Sequence, residues 1–174
     1  MSHSMLPAAR RLAAVLMAAF VASGAIAEPK STPFAAKLTL TESVMFTGTP
    51  PCFAIGSLQA AGNATHLGKV TATSHDCINP NPQDPNSFSF ASLGVGPAGL
   101  VFIAANGDVL FVTYSGTLTA QPPGPHLING HFIITGGTGR FVGATGGGSL
   151  SGYESISQTF SGVGEIEAIG TIVY

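Results

Sequence analysis

Four polar side chains of this 174-residue chain have the types and settings that small-molecule chemistry needs: Arg140, His66, Tyr114 and Glu154. Arg140 stands in Gly136-Gly137-Thr138-Gly139-Arg140-Phe141-Val142-Gly143-Ala144-Thr145-Gly146, five glycines in eleven positions. It is the only arginine beyond residue 27, and a lone guanidinium in an apolar domain can clamp a carboxylate ligand with two parallel hydrogen bonds. It can equally cap the carbonyls of its own turn or pair with a nearby acid, which is the commoner use. His66, in Thr65-His66-Leu67-Gly68-Lys69, could serve as a general base or ligand handle near neutral pH, where imidazole chemistry operates. Its plainer use is as a polar position in a turn between strands. Tyr114 and Glu154 lie in alternating runs, and facing a barrel interior either would orient a ligand. Successive strand residues point to opposite faces, so of Tyr153 and Glu154 at most one points inward.

Other chemistries find little footing. His75, His126 and His131 lack the tight pairing of zinc ligands. Asn79, Asn81 and Asp84 are interrupted by prolines and short of carboxylates for calcium. No metal and no cofactor is expected. Asp108, after Asn106-Gly107, is expected to bond its own turn. There is no GxSxG, no Ser/His/Asp or Cys/His arrangement, and Gly146-Gly147-Gly148 lacks the lysine of a phosphate loop. No catalytic set is assigned.

The elements that must carry these residues read as strands. Leu38, Leu40, Val44 and Phe46 share one face of 37–46, and Thr47-Gly48-Thr49-Pro50-Pro51 breaks the run. Further strands are expected over 52–58, 69–77, 87–93, 100–104, 109–118, 127–135, 149–156, 159–163 and 165–173. Asn106-Gly107 between apolar runs signals a hairpin. The Asn/Pro stretch 79–85 is expected to be a loop that cannot continue a ladder. Phe88, Phe90, Phe102, Phe111, Phe132 and Phe141 are core candidates. Many short strands in one small domain favour a barrel or sandwich, since closure removes exposed edges. The interior of an eight-stranded barrel holds side chains or one small ligand.

The first segment has the form of an export signal. Arg10 and Arg11 precede the apolar run 12–26, and Ala25-Ile26-Ala27 is a small-x-small cleavage site. The expected organisation is a signal peptide over 1–27, a flexible lead-in over 28–36 and a barrel domain over 37–174, with no stable membrane span after cleavage and a periplasmic or extracellular destination. Beyond residue 27, four basic residues (Lys30, Lys37, Lys69 and Arg140) face eight acidic ones, a net charge of −4. Such a chain has no electrostatic footing on phosphate backbones, which argues against nucleic-acid partners. Cys52 and Cys77, the only cysteines, favour one disulfide in an exported protein. It would close a loop of about 25 residues, worth roughly 3 kcal/mol in the chain-entropy account. Metal or redox pairing is the alternative.

The stretch Phe132-Ile133-Ile134-Thr135-Gly136-Gly137-Thr138-Gly139-Arg140-Phe141-Val142-Gly143-Ala144-Thr145-Gly146 resembles the GGTGRF corner of plant dirigent proteins and allene oxide cyclases. It looks most like the bacterial exported proteins with an allene-oxide-cyclase-like barrel. Asn63-Ala64-Thr65-His66-Leu67-Gly68-Lys69, Ala105-Asn106-Gly107-Asp108 and Gly170-Thr171-Ile172-Val173-Tyr174 are similar to that group as well. The resemblance implies a single eight-stranded antiparallel barrel with a central apolar cavity. Plant members bind unstable intermediates there and steer cyclisation or coupling, and they form dimers or trimers, which leaves a homo-oligomer open. Only Arg140 matches the motif's arginines, because Thr145 stands where dirigent proteins usually carry a second one.

The leading expectation is an exported barrel that binds a small apolar or amphipathic molecule. An isomerase or cyclase acting on a reactive lipid-like or phenolic intermediate is the second, with Arg140, His66 or Glu154 assisting; it requires at least two polar side chains to converge inside. A structural surface module without ligand is the third.

Overall fold

The computed structural model describes residues 30–174, so the expected signal peptide and the first two residues of the lead-in lie outside the described residues. Nine strands follow in order: β1 (Thr32–Thr49), β2 (Cys52–Ala64), β3 (Gly68–Asn81), β4 (Asp84–Ser92), β5 (Leu100–Ala104), β6 (Val109–Thr119), β7 (His126–Gly137), β8 (Thr145–Ile156) and β9 (Ser161–Val173). Every pairing is antiparallel. The ring β1-β2-β3-β4-β6-β7-β8-β9 closes on itself when β9 pairs with β1. This is the closed eight-stranded antiparallel barrel that the resemblance of the glycine corner implies, and one of the two forms, barrel or sandwich, that the alternation favours. The additional strand, β5, pairs with β3 through Val70–Thr73 and with β6 through Val109–Val112, beside β4 between the same two neighbours. Among the described residues no helix is long and apolar enough to cross a membrane.

Alternation sends one residue in two to the interior. On β1 these are Phe34, Ala36, Leu38, Leu40 and Glu42; on β3 they are Val70, Ala72, Ser74 and Asp76, all buried. Two interior rings, Phe34 and Phe132, lie 5.5 Å apart across the core. One end of the barrel is plugged by the glycine corner. A single 3-10 turn over Gly139–Phe141 swings the Phe141 ring inward until it is fully buried, 5.2 Å from the Tyr174 ring. Gly139 and Gly143 take φ of +57° and +76°, backbone that a side chain strains, and they bracket this turn.

Several boundaries differ from the sequence reading, each for a physical reason. The stretch read as a flexible lead-in joins β1 from Thr32, because Thr32–Ala36 pairs with Ala168–Ile172 and buries Phe34. The ladder continues through the Asn/Pro stretch: Asn79 pairs with Ser89 and Pro80 with Phe88, leaving Pro82 and Gln83 as the turn between β3 and β4. Pro80 is exposed at the strand end, where a missing N–H is tolerated. Segments 161–163 and 165–173 are one strand, since Gly162 and Gly164 stay in the ladder opposite Ile156 and Glu154, while Thr159 and Phe160 belong to the turn before it. Phe46 runs past the rim and is exposed, its ring 4.7 Å from Phe160 and 5.8 Å from Phe53. Phe111 lies on the outer face of β6, between the inward Leu110 and Val112. Cys52 and Cys77 form a disulfide between the adjacent strands β2 and β3, with Cα atoms 5.0 Å apart.

Candidate functional site

The barrel encloses a cavity of about 70 Å³ whose wall is apolar along most of its length, from Phe34 and Phe132 through Leu58, Val112 and Leu150. At the end away from the glycine plug the wall turns polar. Glu42 from β1, Asp76 from β3, Tyr114 from β6 and Glu154 from β8 all line it. Glu42 is 8 %, Asp76 6 % and Glu154 3 % exposed. No Lys, Arg or His is among the lining residues. His126 is the nearest candidate cation along the ladder: it is the register partner of Glu154 on β7, half-buried at the strand's start.

Each carboxyl has room because of what lies opposite. A Cβ on Gly56 would overlap the Glu42 carboxyl, and one on Gly162 would overlap the Glu154 carboxyl. Two glycines on β2 and β9 therefore open the pockets in which the two acids sit. Asp76 is held differently: Tyr114 Oη donates to its Oδ1, and Ser74 Oγ lies 3.0 Å from the same phenol oxygen. Glu42 Oε1 and Glu154 Oε1 are buried without a hydrogen-bond partner. Leaving a buried polar atom unpaired costs on the order of 1–3 kcal/mol, so such atoms are rare in a folded core.

Burial dominates the electrostatics, because removing a carboxylate from water disfavours its charged form. Asp76 is pushed up to about 7 by burial, with the Tyr114 hydrogen bond pulling it down and the charge of Glu154 pushing it further up. Glu42 is raised well above the carboxyl range by burial and by the neighbouring Asp76 and Glu154. Glu154 is raised by burial and eased by the Glu42 carboxyl beside it. Tyr114 is raised by burial and by the adjacent Asp76 charge. At neutral pH, Glu42 holds its proton while Asp76 is close to half ionised. The cluster thus presents donors and acceptors together in a low-dielectric pocket.

The residues singled out from sequence separate into two groups. Tyr114 and Glu154 meet inside the barrel; Tyr153 points outward. Arg140 lies outside, with Nε 3.3 Å from Asp108 Oδ2 and its guanidinium 5.0 Å from the Phe141 ring centre. It ties the glycine corner to the Asn106-Gly107-Asp108 turn, where Asn106 Nδ2 also donates to Asp108 at 2.9 Å. His66 sits in the β2–β3 turn with φ +67°; its Nε2 lies 2.8 Å from the Pro33 carbonyl and its Nδ1 3.0 Å from Tyr174 Oη. That clasp fastens the chain's last residue and the start of β1 to the turn, far from the acid cluster. His75 and His131 bond Ser57 and Ser115 on the outer face. Among the described residues no group of three His, Cys, Asp or Glu side chains is gathered closely enough to hold a metal ion.

Glu42 and Asp76 did not stand out in the sequence, yet the signal was present. Glu42 keeps the parity of Leu38, Leu40 and Val44, and Asp76 keeps that of Val70, Ala72 and Ser74. A carboxylate on the apolar face of an alternating strand is the mark of a buried acid. In comparison with known proteins, the chain matches no family model and no curated protein. Fold and site together define a closed antiparallel β-barrel with a buried acid cluster at one end of an apolar cavity.

Proposed function

We propose that the barrel interior binds a small, largely apolar or amphipathic molecule. The observation that carries this reading is the segregation of the cavity wall, apolar along its length and polar only at the Glu42/Asp76/Tyr114/Glu154 end. Specific small-molecule sites have that composition, an apolar lining with a few polar groups that fix orientation. The cavity of about 70 Å³ is far below the roughly 300–1,000 Å³ of sites for drug-sized ligands, so the occupant has only a handful of heavy atoms or the wall repacks around it. The likeness of the Gly136–Gly146 corner to allene-oxide-cyclase-like and dirigent-like barrels supports the same reading, and the arginine-led apolar segment before Glu28 supports a site of action outside the cytoplasm.

A second reading is an isomerase or cyclase acting on a reactive intermediate. The convergence of several polar side chains favours it, with Asp76 near neutrality as base and the protonated Glu42 as acid. Arg140 and His66 have no part in it, since both lie outside the cavity.

Binding is tested by methyl NMR of the full chain with its disulfide formed, titrated with butan-1-ol. Perturbations should centre on Leu38, Leu58, Val112 and Leu150. Shifts confined to exposed methyls such as Ile103, Ile133 and Ile169 would mean that the interior takes no ligand.

A further inference from the structure

We propose that the polar end of the cavity is an ammonium site, and that the ligand is a small primary alkylamine whose tail lies along the apolar wall while its N–H donors meet Glu42 and Glu154. This rests on the reading of the interior as a ligand cavity and adds the chemistry of the head group.

Three observations point to an amine. First, the cavity is lined by three carboxyl groups and by no basic side chain. Second, Glu42 and Glu154 each bury an acceptor oxygen that no protein donor reaches. Third, the hydroxyl donors of the cluster are already used: Tyr114 donates to Asp76, and Ser74 is held by Tyr114 and the His75 carbonyl; the donor that remains is the carboxyl proton between Glu42 and Glu154, which an arriving ammonium displaces. The excess is therefore of acceptors, and of negative charge once the carboxyls ionise. An ammonium brings three donors, no acceptor and a positive charge. An alcohol brings one donor and no charge, and a carboxylate adds acceptors where acceptors are in excess. A bare metal ion fits less well, because the three acids are not drawn around a common point. A head group with several divergent N–H bonds reaches separated oxygens, whereas a metal requires them gathered.

Binding a cation is linked to ionisation of its carboxylates. The groups that titrate at this end are Glu42 on β1, Asp76 on β3, Tyr114 on β6 and Glu154 on β8, with His126 on β7 opposite Glu154. Asp76 and the two glutamates hold protons that an arriving ammonium displaces, so amine affinity rises between pH 6 and pH 8 and protons are released.

The test compares butylamine, butan-1-ol and butyrate on the full chain, following the carboxyl ¹³C resonances of Glu42, Asp76 and Glu154. Butylamine should bind at least about ten-fold more tightly than butan-1-ol at pH 8, the scale of charge-assisted hydrogen bonds, and lose part of that advantage at pH 6. Butyrate should not enter. In the Glu42→Gln/Glu154→Gln double variant, butan-1-ol binding should persist while the amine's advantage disappears. Equal affinities for amine and alcohol in the wild type would overturn the ammonium site and leave the cavity reading standing, with water meeting the unpaired oxygens. Amine binding undiminished in the double variant would place the amine on the acidic exterior and overturn the site as well. Failure of both amine and alcohol to bind would remove the cavity reading and this inference together.

Discussion

The Tyr114–Asp76 contact shows how one hydroxyl sets the protonation of the interior. Burial alone would carry Asp76 above the value of about 7 at which it stands, and the phenol's hydrogen bond to Oδ1 favours the ionised form and holds it down. Tyr114→Phe should therefore raise the Asp76 midpoint above about 7, read directly from its carboxyl ¹³C titration. An unchanged or lowered midpoint would mean that the phenol does not stabilise the carboxylate. The variant should also cost about 1–3 kcal/mol in denaturant unfolding, since Ser74 and Asp76 lose a buried partner. At this scale the sequence was half legible. Tyr114 and Glu154 stand out as polar groups in apolar alternation, and Glu42 and Asp76 obey the same parity. Their meeting depends on the staggered registers of β1, β3, β6 and β8, and no spacing within the chain encodes that.

Among the elements, the glycine corner illustrates a division of labour that residue types alone misassign. Arg140 is the conspicuous side chain, but it is half-exposed and pairs with an Asp108 on the surface. Exposed ion pairs contribute roughly 0–1 kcal/mol. Phe141, one position on, is fully buried and closes the barrel's end. Phe141→Ala should destabilise by about 3–5 kcal/mol, and Arg140→Ala by no more than about 1 kcal/mol, both read from urea midpoints. The reverse order would show that the guanidinium, and not the ring, holds the corner. The disulfide follows similar logic on β2 and β3. These strands already pair from Ala54–Ile78 to Ala64–Gly68, so the bond adds little to their registry. Its effect lies in the unfolded chain, where it ties residues 25 apart. Replacing Cys52 and Cys77 together by Ala should cost roughly 3 kcal/mol while leaving amide chemical shifts away from the rim unchanged. Strand existence was legible from alternation and the Asn106-Gly107 turn. Strand length was not, because Pro80 and Gly164 look like terminators in isolation and are accommodated at a rim and against the backbone of Tyr153 and Glu154.

For the whole molecule, the buried acids make stability depend on pH in an unusual direction. Most folded carboxylates are stabilised in their charged form, and their proteins weaken in acid. Here Asp76, Glu42 and Glu154 all bind protons more tightly folded than unfolded. The native state thus carries more protons than the unfolded chain above pH 4, and stability must fall as pH rises. The Asp76 contribution is fully present below its ordinary value of 3.8, declines from there, and is gone above about 7. The Glu42 contribution begins to decline at 4.5 and goes on declining further into alkali. Denaturant midpoints should accordingly be highest at about pH 4 and drop steadily toward pH 8. Asp76→Asn should make the slope shallower below about pH 7, and Glu42→Gln should make it shallower there and remove the part that persists above. A wild-type curve that is flat, or that rises toward pH 8, would show that the acids are solvated in the folded barrel. The same slope is the reservoir on which a ligand acts. A cation that enters the cavity binds only the folded, ionised form, so butylamine should raise the midpoint more at pH 8 than at pH 5, whereas butan-1-ol should raise it equally at both. A barrel or a sandwich is written in the chain's many short alternating strands. The direction of this pH dependence is written only in where three of its eight carboxylates come to rest.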